Sequence, residues 1–445
     1  MSNIHIPYKF IPRVYQHNLL KALDSGYNRA VTVWHRRAGK DKTLFNLTIK
    51  KAFERVGIYY YFFPEFSQGR RVIWNGIDND GFRFLDHIPK QLIDGKPNKT
   101  DMQIDLINGS IIQIIGTDKF DKVRGSNPVG CVFSEFAYQN PAAWDVVRPI
   151  LSGNGGWAVF NSTPFGKNHF FDMYEMGKQN ERWYTDLVTV EQSLDKHGAR
   201  YVPEWVVEED RQSGMPEEMI QQEYYCDFTA NSQGFYYLKL MEEADNAGRI
   251  THVPHQPNIP VDTWWDIGFH DSTSIWFTQL VGRSIHVIDF YQGDSAGIEA
   301  YAKHLQTLPY TYGTHHFPHD MGHVEYGTGK TRIETAEGLF GSQRLDVDQR
   351  KISKEDGINA ARVMIPQCWF DREKCSYGIK CLQNYHREWD HNAQEFKNTP
   401  KHDWSSHAAD AFRYFAVGHI LPKEKSYKSD FLRRNKFRTK SWKTA

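Results

Sequence analysis

A chain of 445 residues with 40% hydrophobic and 14% aromatic side chains has ample length for several domain cores and is too apolar to be disordered. No apolar run approaches the roughly 18 residues needed to cross a bilayer, and the opening MSNIHIPYKF lacks signal-peptide form, so a soluble, cytoplasmic protein is expected. Lys plus Arg and Asp plus Glu each number 54, a formal charge of zero that conceals a basic end. The five cysteines (131, 226, 368, 375 and 381) contain no C-x-x-C pair, which argues for free thiols in a reducing compartment rather than a zinc ribbon.

In chain order, YKFIPRVYQ (8–16) leads into an amphipathic helix at His17–Leu23. An aromatic, a proline and Gln16 ahead of a phosphate loop can cup an adenine, the Gln amide offering both donor and acceptor. Without the loop that follows, an arm packed on the sheet is the better reading of the same residues. The stretch VTVWHRRAGKDKT, Val31–Thr43, is a β-branched strand that empties into a Gly39-Lys40 turn and then a helix, over about Lys42–Arg55. Backbone N–H groups and a helix N-terminus there cradle phosphates. The match to GxxxxGK[ST] is partial, since Trp34 holds the first glycine position and Asp41 follows the lysine, and a basic turn without ligand remains open. Arg36 and Arg37 favour the nucleotide reading, because cations held against a γ-phosphate stabilise its transfer.

Strand signals recur at Ile58–Phe63, Ile104–Ile107, Ile111–Ile115 and Gly130–Phe133 with helical patterns between several of them, and Asn108-Gly109 marks a hairpin. That alternation predicts an α/β fold with a mainly parallel sheet covered on both faces. Val129–Glu135 is an apolar strand ending in an acid, the form of a Walker B strand, with Ser134 where an Asp usually stands and Glu135 placed to polarise water. A buried strand ending in one acid is also common without function. Trp157–Pro164 closes on Asn161, Ser162 and Thr163, which can sense a γ-phosphate and relay hydrolysis, or form only a turn before Pro164.

A Gly-, Pro- and Asn-containing stretch near 230–260 separates a second half. There Thr263–Gly268 is a strand containing Asp266, Ser274–Leu280 and Ile285–Phe290 form a hairpin about 281–283, and the order matches an RNase H-like fold. Asp320 follows the strand-like Thr314–Phe317, and a helix at Trp404–Val417 aligns Asp403, His407, Asp410 and Tyr414 on one face, with Phe412, Phe415 and Ala416 toward the core. Converging carboxylates repel unless cations sit among them; two Mg²⁺ or Mn²⁺ would neutralise them and activate water. Taken singly, each acid reads first as a surface carboxylate or helix cap, and Asp403 as the N-cap of that helix. Residues 423–445 carry nine Lys and Arg against Glu424 and Asp430, a net of +7 that leaves −7 on the rest, fit for nucleic acid, an acidic partner or solvent.

In this order the motifs YKFIPRVYQ, HRRAGKD, PEFSQGRRVIW, VRG (123–125), FSE, NSTP, QEYYCDF (222–228), WWDIGFHDSTS, PHD and HDWSSHAADAFRY resemble those of the large terminase subunit of tailed bacteriophages, over nearly the whole chain. The resemblance implies an N-terminal P-loop (RecA/ASCE-like) ATPase domain at 1–230, a linker at 231–260, an RNase H-like nuclease domain at 261–422 and the basic tail at 423–445. It implies ATP and Mg²⁺ or Mn²⁺, with Gln16, Gly39, Lys40, Asp41 and Thr43 holding nucleotide, Arg36, Arg37 and Glu135 catalytic, and Asn161, Ser162 and Thr163 coupling. Asp266, Asp320 and Asp410 would be the nuclease acids and metal ligands, followed by Asp403, Asp271 and His407. Double-stranded DNA, a small terminase subunit and a portal protein are the implied partners of a ring of about five copies in the host cytoplasm, without membrane. Asp41 would compensate for Ser134, moving the metal-binding acid across the site. A helicase-like ATPase, or a DNA-binding or scaffold protein whose ATP site has decayed, are the alternatives.

Overall fold

The computed structural model describes residues 9–229, 234–268, 272–294, 297–318, 321, 331–347, 353–390 and 395–420. They form two compact units, one drawn from Met1–Phe235 and His386–Ser405, the other from Tyr236–Tyr385 and Ser406–Ala445.

In the first unit, α1 (Gln16–Asp24) precedes β1 (Arg29–Trp34), α2 (Lys40–Glu54) and β2 (Ile58–Phe63). A short α3 (Phe66–Gly69) runs into a π turn at Arg70–Trp74, then come β3 (Gln103–Asp105), β4 (Ile111–Gly116) and β5 (Pro128–Ser134). The unit continues with α4 (Ala142–Asn154), β6 (Trp157–Ser162), α5 (His169–Lys178), β7 (Trp183–Val188), α6 (Glu204–Gln212) and α7 (Glu217–Tyr225). The seven strands order as β3-β4-β2-β5-β6-β1-β7 and pair in parallel, except that β3 turns back on β4 through Gly109 at φ +87°. A sheet buried on both faces needs apolar runs rather than alternation, and β1, β2, β5 and β6 are such runs. Their aromatics form a ladder: Phe62 stacks on Phe133 at 4.7 Å and Phe133 on Phe160 at 4.8 Å, tying β2, β5 and β6 together. The order places the carboxyl ends of β1, β5 and β6 side by side, where ligands gather in open α/β sheets.

The second unit contains α8 (Leu238–Asn246), β8 (Ile250–Thr251), β9 (Val261–Asp266), β10 (Ser272–Val281), β11 (Ser284–Asp294), α9 (Ile298–Thr307), β12 (Tyr312–Phe317), α10 (Arg332–Phe340), β13 (Leu345–Val347), α11 (Lys354–Met364), β14 (Cys368–Asp371) and α12 (Ser376–Asn384). A hairpin of β15 (Arg387–Asp390) and β16 (Glu395–Pro400), clustered with the first unit, then separates α12 from α13 (Ser406–Ile420). The sheet orders as β13-β12-β9-β10-β11-β14-β8, with β9, β10 and β11 an antiparallel meander and β12, β13, β14 and β8 added in parallel. The hairpin expected about 281–283 closes through a two-residue turn, since Val281 pairs with Ser284, with Gly282 at φ +64°. Helix α13 lies on this sheet: the Trp276 indole N–H donates to the Ala408 carbonyl at 2.8 Å, and Phe412, Phe415 and Ala416 are buried. It begins at Ser406 rather than at Trp404, so Asp403 precedes the helix. All five cysteines are buried free thiols.

Candidate functional site

Strand β1 delivers the chain to the loop His35–Gly39, whose backbone is held from several sides. Ala38 carbonyl accepts from the Tyr15 hydroxyl at 2.5 Å and from Gln16 Nε2 at 2.8 Å, and Arg36 N–H donates to the Glu223 carbonyl at 2.6 Å. Gly39 sits at φ +73°, a left-handed turn that favours glycine, and a Cβ there would press on Gln16 Nε2 at 3.1 Å. Gln16 also accepts from the Arg13 N–H at 2.9 Å, so one lone pair and one N–H of its amide staple the N-terminal arm to the loop. Helix α2 starts immediately at Lys40, its N-terminus facing a cavity of about 1420 Å³ lined by Gln16, Arg36, Arg37, Lys40, Thr43 and Glu135 among others, all within the first unit.

Lys40 Nζ lies 2.9 Å from Glu135 Oε1. Burial works against the lysine charge, but the Glu135 and Glu223 carboxylates outweigh it and hold the ammonium above its usual pKa. Glu135 itself stands at φ +58° at the end of β5, and Arg37 at φ +64°; two strained non-glycine residues facing one cavity mark a site at which geometry has been favoured over relaxation. The other Glu135 oxygen accepts from Ser162 at 3.1 Å, Asn161 Nδ2 donates to Thr32 on β1, and Thr163 lines the cavity and donates to Glu223 at 3.4 Å. Asn161, Ser162 and Thr163 thus link strand β1, Glu135 and the cavity wall.

Asp41 Oδ1 accepts from Ser134 Oγ at 2.5 Å and from the Tyr61 hydroxyl at 2.9 Å. Burial raises the Asp41 pKa; the Ser134 donation opposes it and the Glu135 charge adds to it. Both bonds use Oδ1 and leave Oδ2 outside them, while Thr43 Oγ1 donates to the Gly39 carbonyl at 3.0 Å and keeps its lone pairs. A hard oxygen set beside a phosphate cradle suits Mg²⁺, which takes one or two protein oxygens and completes its shell with phosphate and water. Two contributors, Tyr61 and Glu223, were missed from the sequence. Glu223 had a signal in QEYYCDF; Tyr61 had none, being one aromatic in a run of them.

In the second unit, Asp266 at the end of β9 meets His407 on α13, Oδ2 to Nδ1 at 3.2 Å. Burial raises the Asp266 pKa, the His407 contact opposes it, and the nearby Asp410 charge raises it further. Asp410 accepts from the Tyr385 hydroxyl at 3.3 Å and lies 3.3 Å from the Arg413 guanidinium. The fold therefore assembles Asp266, His407 and Asp410, with Tyr385 and Arg413 as partners that sequence reading did not find. Asp320 and Asp271 lie outside the described residues, as does the tail at 423–445. Among the described residues no group of three or more His, Cys, Asp or Glu stands ready as a metal cage. The two carboxylates, with Asp266 pushed toward its neutral form first by burial and further by the Asp410 charge, are oxygen donors of the kind Mg²⁺ and Mn²⁺ prefer. Asp403 is engaged differently: it accepts from the Ser405 N–H at 2.9 Å and Ser405 Oγ at 2.6 Å, within the first unit.

A Gly-Lys loop after β1, an acid at the end of β5 and a polar exit from β6 on a mainly parallel sheet have the arrangement of a P-loop fold, and a meander flanked by parallel strands with acids on β9 and α13 has that of an RNase H-like fold. The chain resembles the large terminase subunit of tailed phages: it is 24% identical over 411 residues to the "Terminase, large subunit" of Escherichia phage T5, covering 89% of this chain and 88% of that protein. No family model matches. Among solved structures, the large terminase of a thermophilic bacteriophage in complex with ADP aligns over 93% of this chain and 100% of its own, at 15% identity and TM-score 0.42. The large terminase nuclease from thermophilic phage G20c with bound cobalt aligns over 42% of this chain and 98% of its own, at 15% identity and TM-score 0.29.

Proposed function

We propose that this chain is the large subunit of a phage DNA-packaging terminase, in which ATP hydrolysis by the first unit moves double-stranded DNA into a procapsid and the second unit cuts the DNA. The observation that carries the reading is the Lys40–Glu135 pair at 2.9 Å, because a phosphate-binding cation and a water-polarising acid are the two groups that ATP hydrolysis needs at one strand edge. Without nucleotide they neutralise each other. A triphosphate entering the loop offers Lys40 a stronger anion and frees Glu135, still oriented by Ser162, to take a proton from water. Arg36 and Arg37 on the cavity wall would offset charge on the transferring phosphoryl group. Thr163, Ser162 and Asn161 would feel the change at Glu135 and pass it into the sheet through Thr32.

Mg²⁺, when bound, would neutralise the β- and γ-phosphate oxygens. Asp41 and Thr43 would hold it, with Ser134 and Tyr61 fixing the Asp41 carboxylate: the hydroxyl and the carboxylate of an ordinary P-loop site have exchanged positions. Asp266 and Asp410, with Asp320, would hold the nuclease metals, and His407 would orient Asp266. A small terminase subunit, a portal and a ring of about five copies in the host cytoplasm complete the proposal. The deciding measurement is ATP turnover by the full chain with and without double-stranded DNA. DNA-stimulated turnover supports a translocase, whereas no turnover under either condition would leave only a DNA-binding or scaffold role.

A further inference from the structure

Helix α7 ends against the phosphate loop. The last carbonyls of a helix have no partner within it. Here the Glu223 carbonyl accepts from the Arg36 N–H at 2.6 Å and the Tyr224 carbonyl from the Val190 N–H at 2.8 Å, while Cys226 closes the helix at φ +59°. That fastening puts Gln222 and Glu223, the first two residues of QEYYCDF, on the wall of the cavity with Lys40, Glu135 and Thr163. Both are buried, Gln222 to 1% exposure. Glu223 Oε1 accepts from Gln222 Nε2 at 2.9 Å and from Thr163 Oγ1 at 3.4 Å. A carboxylate offers only acceptors, so the NH₂ end of the Gln222 amide must face Glu223 and its oxygen must face away. That oxygen, Oε1, is buried and has no hydrogen-bond partner among the described residues. An unpaired buried acceptor is costly, so this one stands ready for a donor that comes with a ligand.

We propose that Gln222 is a further catalytic residue of ATP hydrolysis, its Oε1 accepting a hydrogen bond from the attacking water. This rests on the ATPase reading of the first unit. Phosphate oxygens at neutral pH are themselves acceptors, so the triphosphate cannot be the donor. Burial works against the Lys40 charge while the Glu135 and Glu223 charges support it, which places Glu223, and the amide bonded to it, at the Lys40 end of the cavity. The donor available at that end is water. Glu135 takes one proton as the water oxygen bonds to the γ-phosphorus and the bond from that phosphorus to the β–γ bridging oxygen breaks, its electron pair leaving on ADP. Gln222 receives the other O–H and takes no proton. With two acceptors the water presents a lone pair to phosphorus, whereas with one it turns freely about a single hydrogen bond. Glu223 is the positioning residue that sets the amide, and Thr163 ties the same carboxylate to the segment 161–163.

The test is steady-state turnover and analogue binding by the full chain with Mg²⁺ and double-stranded DNA present. Gln222→Leu, which keeps the volume and loses the acceptor, should lower kcat by about 10²-fold, the scale of a misplaced reactant. KM and ATPγS affinity should stay near wild type, the pattern of an interaction made only in the transition state. ADP with aluminium fluoride, a planar mimic of the transferring phosphoryl group with water in line, should bind the variant more weakly by the same factor as kcat. ADP with beryllium fluoride, a tetrahedral mimic of the bound triphosphate, should bind as it does to wild type. Gln222→Met gives the same comparison if the leucine variant does not fold. Turnover near wild type in either folded variant overturns the proposal. An equal loss for both analogues also overturns it, since Gln222 would then only hold nucleotide. A wild type without ATP turnover overturns the ATPase reading and this inference with it.

Discussion

Lys40 and Glu135 are paired in the structure but should fail in different ways when altered. Lys40→Ala removes the cation proposed to meet the phosphates, and ATP turnover should fall by about 10²-fold or more together with nucleotide affinity. Glu135→Gln keeps the shape and the Ser162 contact while losing the base, so a fluorescent ATP analogue should still bind while turnover nearly vanishes. Wild-type turnover in Lys40→Ala would remove the P-loop reading. The exchange of hydroxyl and carboxylate between positions 41 and 134 makes a sharper demand. Asp41→Ala should weaken Mn²⁺ binding to the nucleotide complex by roughly ten-fold, as loss of a ligand or its support does, read by electron paramagnetic resonance, and Ser134→Asp in that background should recover part of it. Unchanged Mn²⁺ affinity in Asp41→Ala would sink the exchange.

At the scale of elements, the placement of Asp410 depends on how α13 sits on its sheet, and Trp276 is the fixing point. Its ring is fully buried against Phe290 and Phe412, its N–H bonds the Ala408 carbonyl, and a Cβ on Gly378 would come within 2.3 Å of it. Trp276→Ala should cost about 3–5 kcal/mol of the second unit's stability by cavity formation, measured as a shifted urea midpoint. If the midpoint does not move, α13 is held by something else. The same scale shows what could be read beforehand. Strands β1, β2, β5 and β6 were legible because a sheet covered on both faces demands unbroken apolar runs, and α13 because its apolar spacing is helical. Strand β7 was not, for WYTDLV is half-buried almost throughout and shows neither alternation nor an apolar run. The β15–β16 hairpin was hidden twice over: its strands are polar, and no local pattern tells a segment that it will pack with residues 150 or more positions earlier. Asp266 and Asp410 are legible as acids on a strand and a helix face, and Arg413 stands three residues beyond Asp410 on the same helix, whereas Tyr385 becomes a partner only through tertiary packing.

For the molecule as a whole, two chemistries on two compact units should be separable by mutation. Asp266→Ala or Asp410→Ala should abolish DNA cleavage in Mn²⁺ while ATP turnover stays within about two-fold of wild type, since these acids and the Lys40–Glu135 pair belong to separate compact units with no shared partner among the described residues. Cleavage surviving Asp266→Ala would mean that the cutting site lies elsewhere.

The buried cysteines carry a practical consequence. Burial pushes the thiols of Cys131, Cys226, Cys368 and Cys375 up from their ordinary pKa, so at neutral pH they are neither exposed nor ionised, and Cys381 is fully enclosed as well. The native chain is thus already close to a cysteine-free background for maleimide chemistry. One cysteine introduced at an exposed position would therefore accept a dye at that site alone, without replacing any native thiol.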